Sequence, residues 1–269
     1  MPYLSPALNV MIAAARKAAR GLIRDFGELE NLQVSVKGPG DFVSNADRRT
    51  EKILIEELSK ARPGYGFFCE ESGAQEGSDK SHRFIIDPLD GTTNFLHGIP
   101  IFGISVALER EGQLVSGLVY NPVVDEMYVA EKGHGAYLND KRLHVAARRS
   151  MNDALFATGL PFSGKGGHAL ALAEAAEVMA VSPGIRRCGS AALDLCGVAA
   201  GRYDGFWEHD LNAWDMAAGI VIAKEAGALV TDLKGGQDML TNGGVLATNE
   251  ALYPQIRDLL AKARKKVIG

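Results

Sequence analysis

Hydrophobic residues recur with two different periods along the chain, which predicts two parts with different architectures. Between residues 8 and 26 they lie three or four positions apart, the spacing of one face of an amphipathic helix. From Ile101 to about residue 130 the period is two, and short alternating segments joined by tight turns predict an antiparallel meander. After residue 150, segments of strand length alternate with segments of helix length, as in an α/β layer. We therefore predict an N-terminal α+β domain (1–147) and a C-terminal α/β domain (148–269).

The stretch at residues 83–95, RFIIDPLDGTTNF, places two carboxylates directly after a short apolar run. The run predicts a buried strand, and Asp87 and Asp90 follow it in a turn shaped by a proline and a glycine. Carboxylates held this close are unfavourable without positive charge between them, and Mg²⁺ is a hard cation that prefers oxygen ligands. The turn therefore predicts a divalent-cation site, with the carbonyl of Leu89 as a further oxygen ligand. The alternative is a simple surface turn, because Asp-Pro and Asp-Gly are common in turns.

Four further acidic residues, Asp47, Glu70, Glu208 and Asp215, lie at the ends of predicted strands or at the starts of predicted helices. Such positions are where α/β proteins place their ligand sites. Helix capping is the alternative for Asp47 and Asp215, and a solvated strand end is the alternative for Glu70. A set of carboxylates without matching basic residues favours a metal site.

Another predicted helix begins after Gly189, Ser190 and Ala191, where backbone N–H groups would face a hydroxylated or anionic ligand. Arg186 and Arg187 directly precede this turn and would add positive charge for a phosphate group. The alternative for these arginines is a solvated strand edge. The turn is therefore a candidate substrate-binding element.

Composition and charge exclude several classes of protein. The 269 residues carry a formal net charge of −4, so there is no general electrostatic attraction to nucleic acid. Three cysteines without a CxxC pair argue against a disulfide framework and a zinc site. No apolar run reaches the roughly 18 residues of a membrane helix, and charged residues interrupt the N-terminal apolar segment. We therefore expect a cytoplasmic protein that does not enter a membrane.

Five motifs, in the same order along the chain, resemble those of the inositol monophosphatase family, whose members are lithium-sensitive, metal-dependent phosphatases. They are GDFVSNAD (40–47), EES (70–72), IIDPLDGTTNF (85–95), GSAALDLCGVAAGRYDGFWE (189–208) and WDMAAGIVIAKEAG (214–227). One departure is Arg83-Phe84, where the family's usual aromatic residue is replaced. The resemblance implies a layered αβαβα sandwich, with an antiparallel sheet in the first half and a smaller mixed sheet in the second. It also implies a homodimer.

The resemblance also implies a role for each candidate residue. Two or three Mg²⁺ ions would be bound by Glu70, Asp87, Asp90, Asp215 and the carbonyl of Leu89. Asp47, Thr92 and Glu70 would orient or activate the attacking water. The substrate, a small phosphorylated polyol, would contact Gly91, Thr92, Gly189, Ala191, Glu208 and Asp215. The sequence pattern described above adds Arg186, Arg187 and Ser190 to these candidates.

The leading hypothesis is hydrolysis of myo-inositol 1-phosphate by a water molecule that Mg²⁺ activates. Three alternatives share this chemistry: a histidinol-phosphate phosphatase, a fructose-1,6-bisphosphatase and a 3′(2′),5′-bisphosphate nucleotidase. A carboxylate such as Glu208 accepts several hydrogen bonds and favours a polyol over a nucleotide. An alternative of another class is a regulatory role in binding protein or RNA.

Overall fold

The computed structural model describes residues 5–28, 34–38 and 41–268. The helices are α1 (Pro6–Gly27), α2 (Asn45–Ala61), α3 (Thr92–Leu96), α4 (His168–Met179), α5 (Ala191–Ala199), α6 (Ala213–Glu225), α7 (Met239–Asn242) and α8 (Tyr253–Ile268). The strands are β1 (Val34–Gly38), β2 (Asp41–Ser44), β3 (Tyr65–Cys69), β4 (Gly73–Gln75), β5 (Asp79–Asp90), β6 (Gly103–Arg110), β7 (Gln113–Asn121), β8 (Glu126–Glu131), β9 (Gly135–Leu138), β10 (Lys141–Arg142), β11 (Leu155–Thr158), β12 (Gly184–Arg186), β13 (Gly205–Glu208), β14 (Leu229–Thr231) and β15 (Val245–Thr248). Gly40, which opens the first motif, lies outside the described residues. Within those residues, no helix combines the length and apolar character needed to cross a membrane.

The larger sheet has eight strands in the order β10-β9-β8-β7-β6-β5-β3-β4. Neighbours from β5 to β10 are antiparallel, and the part from β6 to β8 confirms the predicted meander. In contrast, β3 runs parallel to β5, with Phe67 opposite Phe84, and the period-two pattern did not predict this pairing. The chain returns through β4, on the outer edge of β3, and begins β5 beside Tyr65. The larger sheet is therefore mixed, with a long antiparallel portion.

Consecutive residues of β5 point to opposite faces of this sheet, and helices cover both faces. Ile86 packs in a core with Leu54 and Leu58 of α2, whereas Ile85 belongs to a core shared with α5 and α6. Burial on both faces explains why this strand reads as a continuous apolar run. As a result, β5 carries the carboxylates at its C-terminal end into the interior of the protein.

The smaller sheet has five strands in the order β12-β11-β13-β15-β14. β11 is parallel to β12 and β13, and β15 is antiparallel to β13 and β14, so this sheet is mixed, as expected. Phe206 of β13 faces the core formed with α5 and α6, and the next residue, Trp207, faces the core formed with α8. Most of α6 is buried because this helix lies between the two sheets.

The layers stack in the order α1 and α2, larger sheet, α5 and α6, smaller sheet, and α4 with α8. This is the αβαβα sandwich that the resemblance implied. Helices α5 and α6, from the second half of the chain, pack against both sheets. The division into 1–147 and 148–269 stays a prediction from the sequence pattern.

Candidate active site

A cavity of about 580 Å³ lies at the C-terminal ends of β3, β5 and β13 and the N-terminal ends of α5 and α6. Two residues predicted for the site do not line it. Asp47 is fully buried in the first turn of α2, and exposed Arg186 donates from its Nη1 to the carbonyl of Ile185 (3.2 Å). The other predicted residues all line the cavity: Glu70, Asp87, Leu89, Asp90, Gly91, Thr92, Arg187, Gly189, Ser190, Ala191, Glu208 and Asp215.

Asp90, the last residue of β5, connects this strand to the start of α5. Its Oδ2 accepts hydrogen bonds from the hydroxyl of Ser190 (2.5 Å) and the backbone N–H of Ala192 (2.8 Å). A carboxylate is stabilised at this point because the N-terminus of a helix carries partial positive charge. The start of α5, where we predicted that backbone N–H groups face a ligand, therefore binds a carboxylate of the protein through the Ser190 hydroxyl and the Ala192 N–H.

The turn after β5 positions the hydroxyl of Thr92 between two oxygen atoms. Gly91 has a φ of 97°, and a side chain there would come within 2.9 Å of the carbonyl oxygen of Ile101, so the turn requires glycine. The Oγ1 of Thr92 lies 3.2 Å from Oδ1 of Asp47 and 3.1 Å from the carbonyl oxygen of Leu89. A hydroxyl has one proton, so it donates to one of these acceptors at a time. Asp47 lies behind Thr92 and reaches the cavity through it.

Glu70 and Asp215 supply carboxylates from two other elements. Glu70 directly follows β3 and lines the cavity, while the N–H of its neighbour Glu71 donates to Oε2 of Glu51 (2.8 Å). Asp215 lies in the first turn of α6, where its Oδ2 accepts from the backbone N–H of Asn212 (2.7 Å). The capping alternative for Asp215 is therefore confirmed, and the same side chain also borders the cavity.

Burial and mutual repulsion raise the pKa of the acidic residues in the cavity. The pKa of Asp87 is well above its ordinary value because the group is buried beside Glu70, Asp90 and Asp215. Burial raises the pKa of Asp90 to about 6, although its hydrogen bonds from Ser190 and Ala192 act in the opposite direction. Burial and the charge of Asp90 raise the pKa of Asp215 to about 7. Without a cation, the site therefore cannot keep all of its carboxylates charged at neutral pH.

Glu208, the last residue of β13, adds a further carboxylate to the cavity. Burial, followed by the charges of Asp90 and Asp215, raises its pKa to about 8. The positive charges of Arg187 and Lys165 act in the opposite direction, which indicates that both lie near this carboxylate.

Lys165 lines the cavity, and the sequence analysis did not single it out. Its Nζ donates to the carbonyl of Asp210 (3.0 Å) and lies 4.8 Å from the centre of the Phe162 ring. Both Phe162 and Lys165 belong to the glycine-rich loop after β11. The loop lacks the residue spacing of a P-loop, but its glycines were a signal that the backbone lies close to a ligand site.

His209 also lines the cavity and was not predicted. Its Nε2 lies 2.9 Å from Oε2 of Glu174, which is fully buried in α4. The same carboxylate accepts a hydrogen bond from Nε1 of Trp207 (3.1 Å). Glu174 therefore ties the end of β13 to α4 directly beside Glu208.

The residues present fit a hard divalent cation. Among the residues that the structure describes, no three His, Cys, Asp or Glu side chains already form a group that could hold a metal ion. Two of the acids, Asp90 and Asp215, are instead turned toward N–H and O–H groups of the protein. The donor set nevertheless consists of four carboxylates and one carbonyl, the ligands that Mg²⁺ prefers. A cation among them would also relieve the repulsion that raises their pKa values.

Comparison with known proteins gives a consistent family assignment. The profile of the inositol monophosphatase family matches residues 3–268. The chain is similar to the inositol-1-monophosphatase of Mesorhizobium japonicum, with 60% identity over 265 residues and 98% of each chain covered. It is similar to the solved structure of extragenic suppressor protein suhB from Bartonella henselae, with a TM-score of 0.94, 55% identity, and 96% of this chain and 99% of that chain covered. The Nus factor SuhB of Pasteurella multocida is 41% identical, covering 94% of this chain and 95% of its own length.

Proposed function

The chain belongs to the inositol monophosphatase family and is a phosphatase, and we propose that it hydrolyses myo-inositol 1-phosphate to inositol and inorganic phosphate with Mg²⁺. The observation that carries the proposal is one cavity that is lined by four carboxylates and also by Glu208 and Arg187. The four carboxylates suit the cations that a phosphate dianion requires, and Glu208 suits the hydroxyl groups of a polyol. The 60% identity to a named inositol-1-monophosphatase supports this choice of substrate.

In this proposal, Glu70, Asp87, Asp90, Asp215 and the carbonyl of Leu89 hold two or three Mg²⁺ ions. When bound, Mg²⁺ lowers the pKa of a coordinated water and neutralises charge on the phosphate ester. The protein contributes the position of its oxygen ligands. Asp90 and Asp215 already accept hydrogen bonds near the starts of α5 and α6, so both carboxylates are held in place before a cation arrives.

Thr92 and Asp47 orient the attacking water in this proposal. The hydroxyl of Thr92 has two protein acceptors within hydrogen-bond distance, so its proton points toward the protein. Its oxygen can therefore accept a hydrogen bond from the water. As the water attacks, it gives its proton to the Thr92 oxygen while the Thr92 proton passes to Asp47. The burial of Asp47 keeps this route away from bulk solvent.

The substrate would lie across the cavity. Gly91 and Thr92 contact the phosphate group, and Arg187 adds positive charge; Arg186 is left out because it does not line the cavity. Glu208 accepts hydrogen bonds from the hydroxyl groups of the polyol. The remaining residues that contact the alcohol are Gly189, Ser190, Ala191 and Asp215.

The test is phosphate release from four substrates at fixed Mg²⁺, with and without Li⁺. The panel contains inositol 1-phosphate, histidinol phosphate, fructose 1,6-bisphosphate and adenosine 3′,5′-bisphosphate. We expect a preference for inositol 1-phosphate that requires Mg²⁺, is inhibited by Li⁺ and is lost in Asp90→Asn. A preference for another member of the panel would reassign the substrate. Absence of Mg²⁺-dependent release from all four would refute the proposed activity.

The relatives named Nus factor SuhB support a second candidate function, a regulatory role in binding protein or RNA.

We also retain the homodimer and the cytoplasmic location as predictions. An exposed apolar patch supports the homodimer: Ile99, Val123 and Val124 are 42%, 38% and 54% exposed, on two segments joined by the bond from Asn121 Nδ2 to the carbonyl of Pro100 (3.1 Å). Size-exclusion chromatography with light scattering would measure the mass of the protein in solution. A monomeric mass would contradict the homodimer.

A further inference from the structure

Gly159 and Glu208 lie side by side at the ends of two parallel strands. Thr158, the last residue of β11, is paired with Trp207 of β13, and its hydroxyl donates to the Trp207 carbonyl (2.7 Å). Gly159 follows Thr158, Glu208 follows Trp207, and both residues line the cavity. The C-terminal edge of parallel strands is where α/β proteins bind ligands.

The side chain of Glu208 occupies the space that a side chain at position 159 would need. A Cβ atom built on Gly159 would lie within 3.0 Å of Oε1, Cδ and Oε2 of Glu208, closer than real Cβ atoms come to any atom. Those carboxylate atoms are its three nearest neighbours, ahead of any backbone atom. Gly159 is also absent from the glycines with positive φ, so its backbone conformation does not require glycine. The requirement at this position is therefore for space, and the group that uses the space is Glu208.

We infer that Gly159 is a positioning residue that determines substrate preference, because its missing side chain lets the Glu208 carboxylate lie where it can bind a hydroxyl group of the substrate. This inference rests on the proposed function, in which Glu208 binds the polyol. The chemical class selected is a phosphate monoester whose alcohol carries free hydroxyl groups near the ester. Gly159 itself makes no contact with the reacting atoms in this account.

The critical variant is Gly159→Ala, which adds one methyl group against the Glu208 carboxylate. A glutamate side chain can rotate away, so the fold is expected to survive while the carboxylate is displaced from the wall of the cavity. We expect kcat/KM for inositol 1-phosphate to fall about 10- to 100-fold, the loss typical of a hydrogen bond to a charged group. Hydrolysis of p-nitrophenyl phosphate, whose alcohol has no further hydroxyl, should stay within about twofold, because the Glu208 hydrogen bond is absent for this substrate.

The matched control is Gly21→Ala in α1, outside the cavity. Gly21 has an ordinary φ, and a Cβ there would meet nothing within 4 Å. This variant should keep the wild-type ratio of the two kcat/KM values. Melting curves of both variants establish that they are folded.

Glu208→Ala and the double variant Gly159→Ala/Glu208→Ala complete the experiment. Without the carboxylate the added methyl group has nothing to displace, so the double variant should match Glu208→Ala within about twofold. Additive losses would overturn the inference, as would an unchanged or increased preference for inositol 1-phosphate in Gly159→Ala. Equal losses for both substrates would overturn it too, because they would indicate general damage. If Glu208→Ala itself leaves the ratio unchanged, the role of Glu208 in the proposed function fails first, and the inference falls with it.

Discussion

The acidic cavity should make the metal-free protein lose stability as the pH rises from 5 to 8, and Mg²⁺ should restore that stability. Asp215 is the best group for the test, because its pKa of about 7 falls inside this range. Its pKa is raised above that of the unfolded chain, so between these values the folded protein binds a proton that the unfolded chain has released. The free energy of unfolding therefore decreases with pH across this window and stays lower above it.

The expected size follows from the pKa. From pH 5 to a pKa of about 7 is two pH units, and each unit corresponds to about 1.36 kcal/mol, so the upper limit is about 3 kcal/mol. Asp215 keeps some contact with solvent, which screens its charge and reduces the loss to about 1–2 kcal/mol. For a chain of this size that loss lowers Tm by about 2–8 °C. Mg²⁺ at 100 times its Kd adds about 2.7 kcal/mol, enough to offset it.

The assay is thermal unfolding followed by circular dichroism at pH 5 and pH 8, in EDTA and in Mg²⁺. Asp215→Asn keeps an oxygen that can accept from Asn212 and should show a smaller loss of Tm with pH in EDTA and a smaller rise with Mg²⁺. The control is Asp258→Asn on α8, where the side chain is 69% exposed, and it should behave as wild type. The reasoning would be refuted if the metal-free wild type were as stable at pH 8 as at pH 5, or if Asp215→Asn kept the full pH dependence.

Three further substitutions test other contacts of the site. Thr92→Val should lower kcat about 100-fold with little change in KM, whereas Thr92→Ser should keep most activity because it retains the hydroxyl; steady-state kinetics that found a wild-type kcat in Thr92→Val would exclude the proton route. Asn94→Ala removes an amide whose Nδ2 donates to two backbone carbonyls, each at 2.7 Å, so urea unfolding should show a loss of about 2–4 kcal/mol, and an unchanged midpoint would contradict its structural role. Glu174→Ala should cost about 3 kcal/mol in the same assay, because it leaves both His209 and the buried Nε1 of Trp207 without their acceptor, and an unchanged midpoint would contradict its structural role.

The local periodicity of the sequence predicted most of the helices and strands, whereas the order of the layers came from the resemblance to the inositol monophosphatase family. The meander from β6 to β8 was predicted because alternating apolar and polar residues indicate a strand with one buried face. The parallel pairing of β3 with β5 was not, because a local pattern does not record which strands become neighbours. The same limit applies to Asn94, whose amide joins the carbonyls of Ile101 and Cys188, more than 90 positions away along the chain in the second case.

The acidic residues of the site were predicted and two other residues were missed, for a related reason. Acidic residues at strand ends are visible in the sequence, and the five motifs identified them together with Thr92. Lys165 was missed because it lies in a glycine-rich loop with no periodic pattern. Gly159 was missed because its role depends on the Glu208 side chain from a neighbouring strand, about fifty positions away. Contacts of this kind follow from strand order and register, which only the folded chain contains.

The two halves of the chain contribute different functions to the cavity, and the contacts between them make it one site. The first half carries Thr92 and most of the proposed metal ligands, and the second half carries Glu208 and the loop with Lys165. Asp90 accepts from Ser190 and Ala192 across this division, so the position of a proposed metal ligand depends on how α5 packs against β5. Substitutions in the loop after β11 can therefore change which alcohol is accepted without changing the carboxylates. Under the proposed function, substrate preference can diverge through Glu208 and the loop after β11 while the proposed metal ligands of both halves, Asp215 included, are retained.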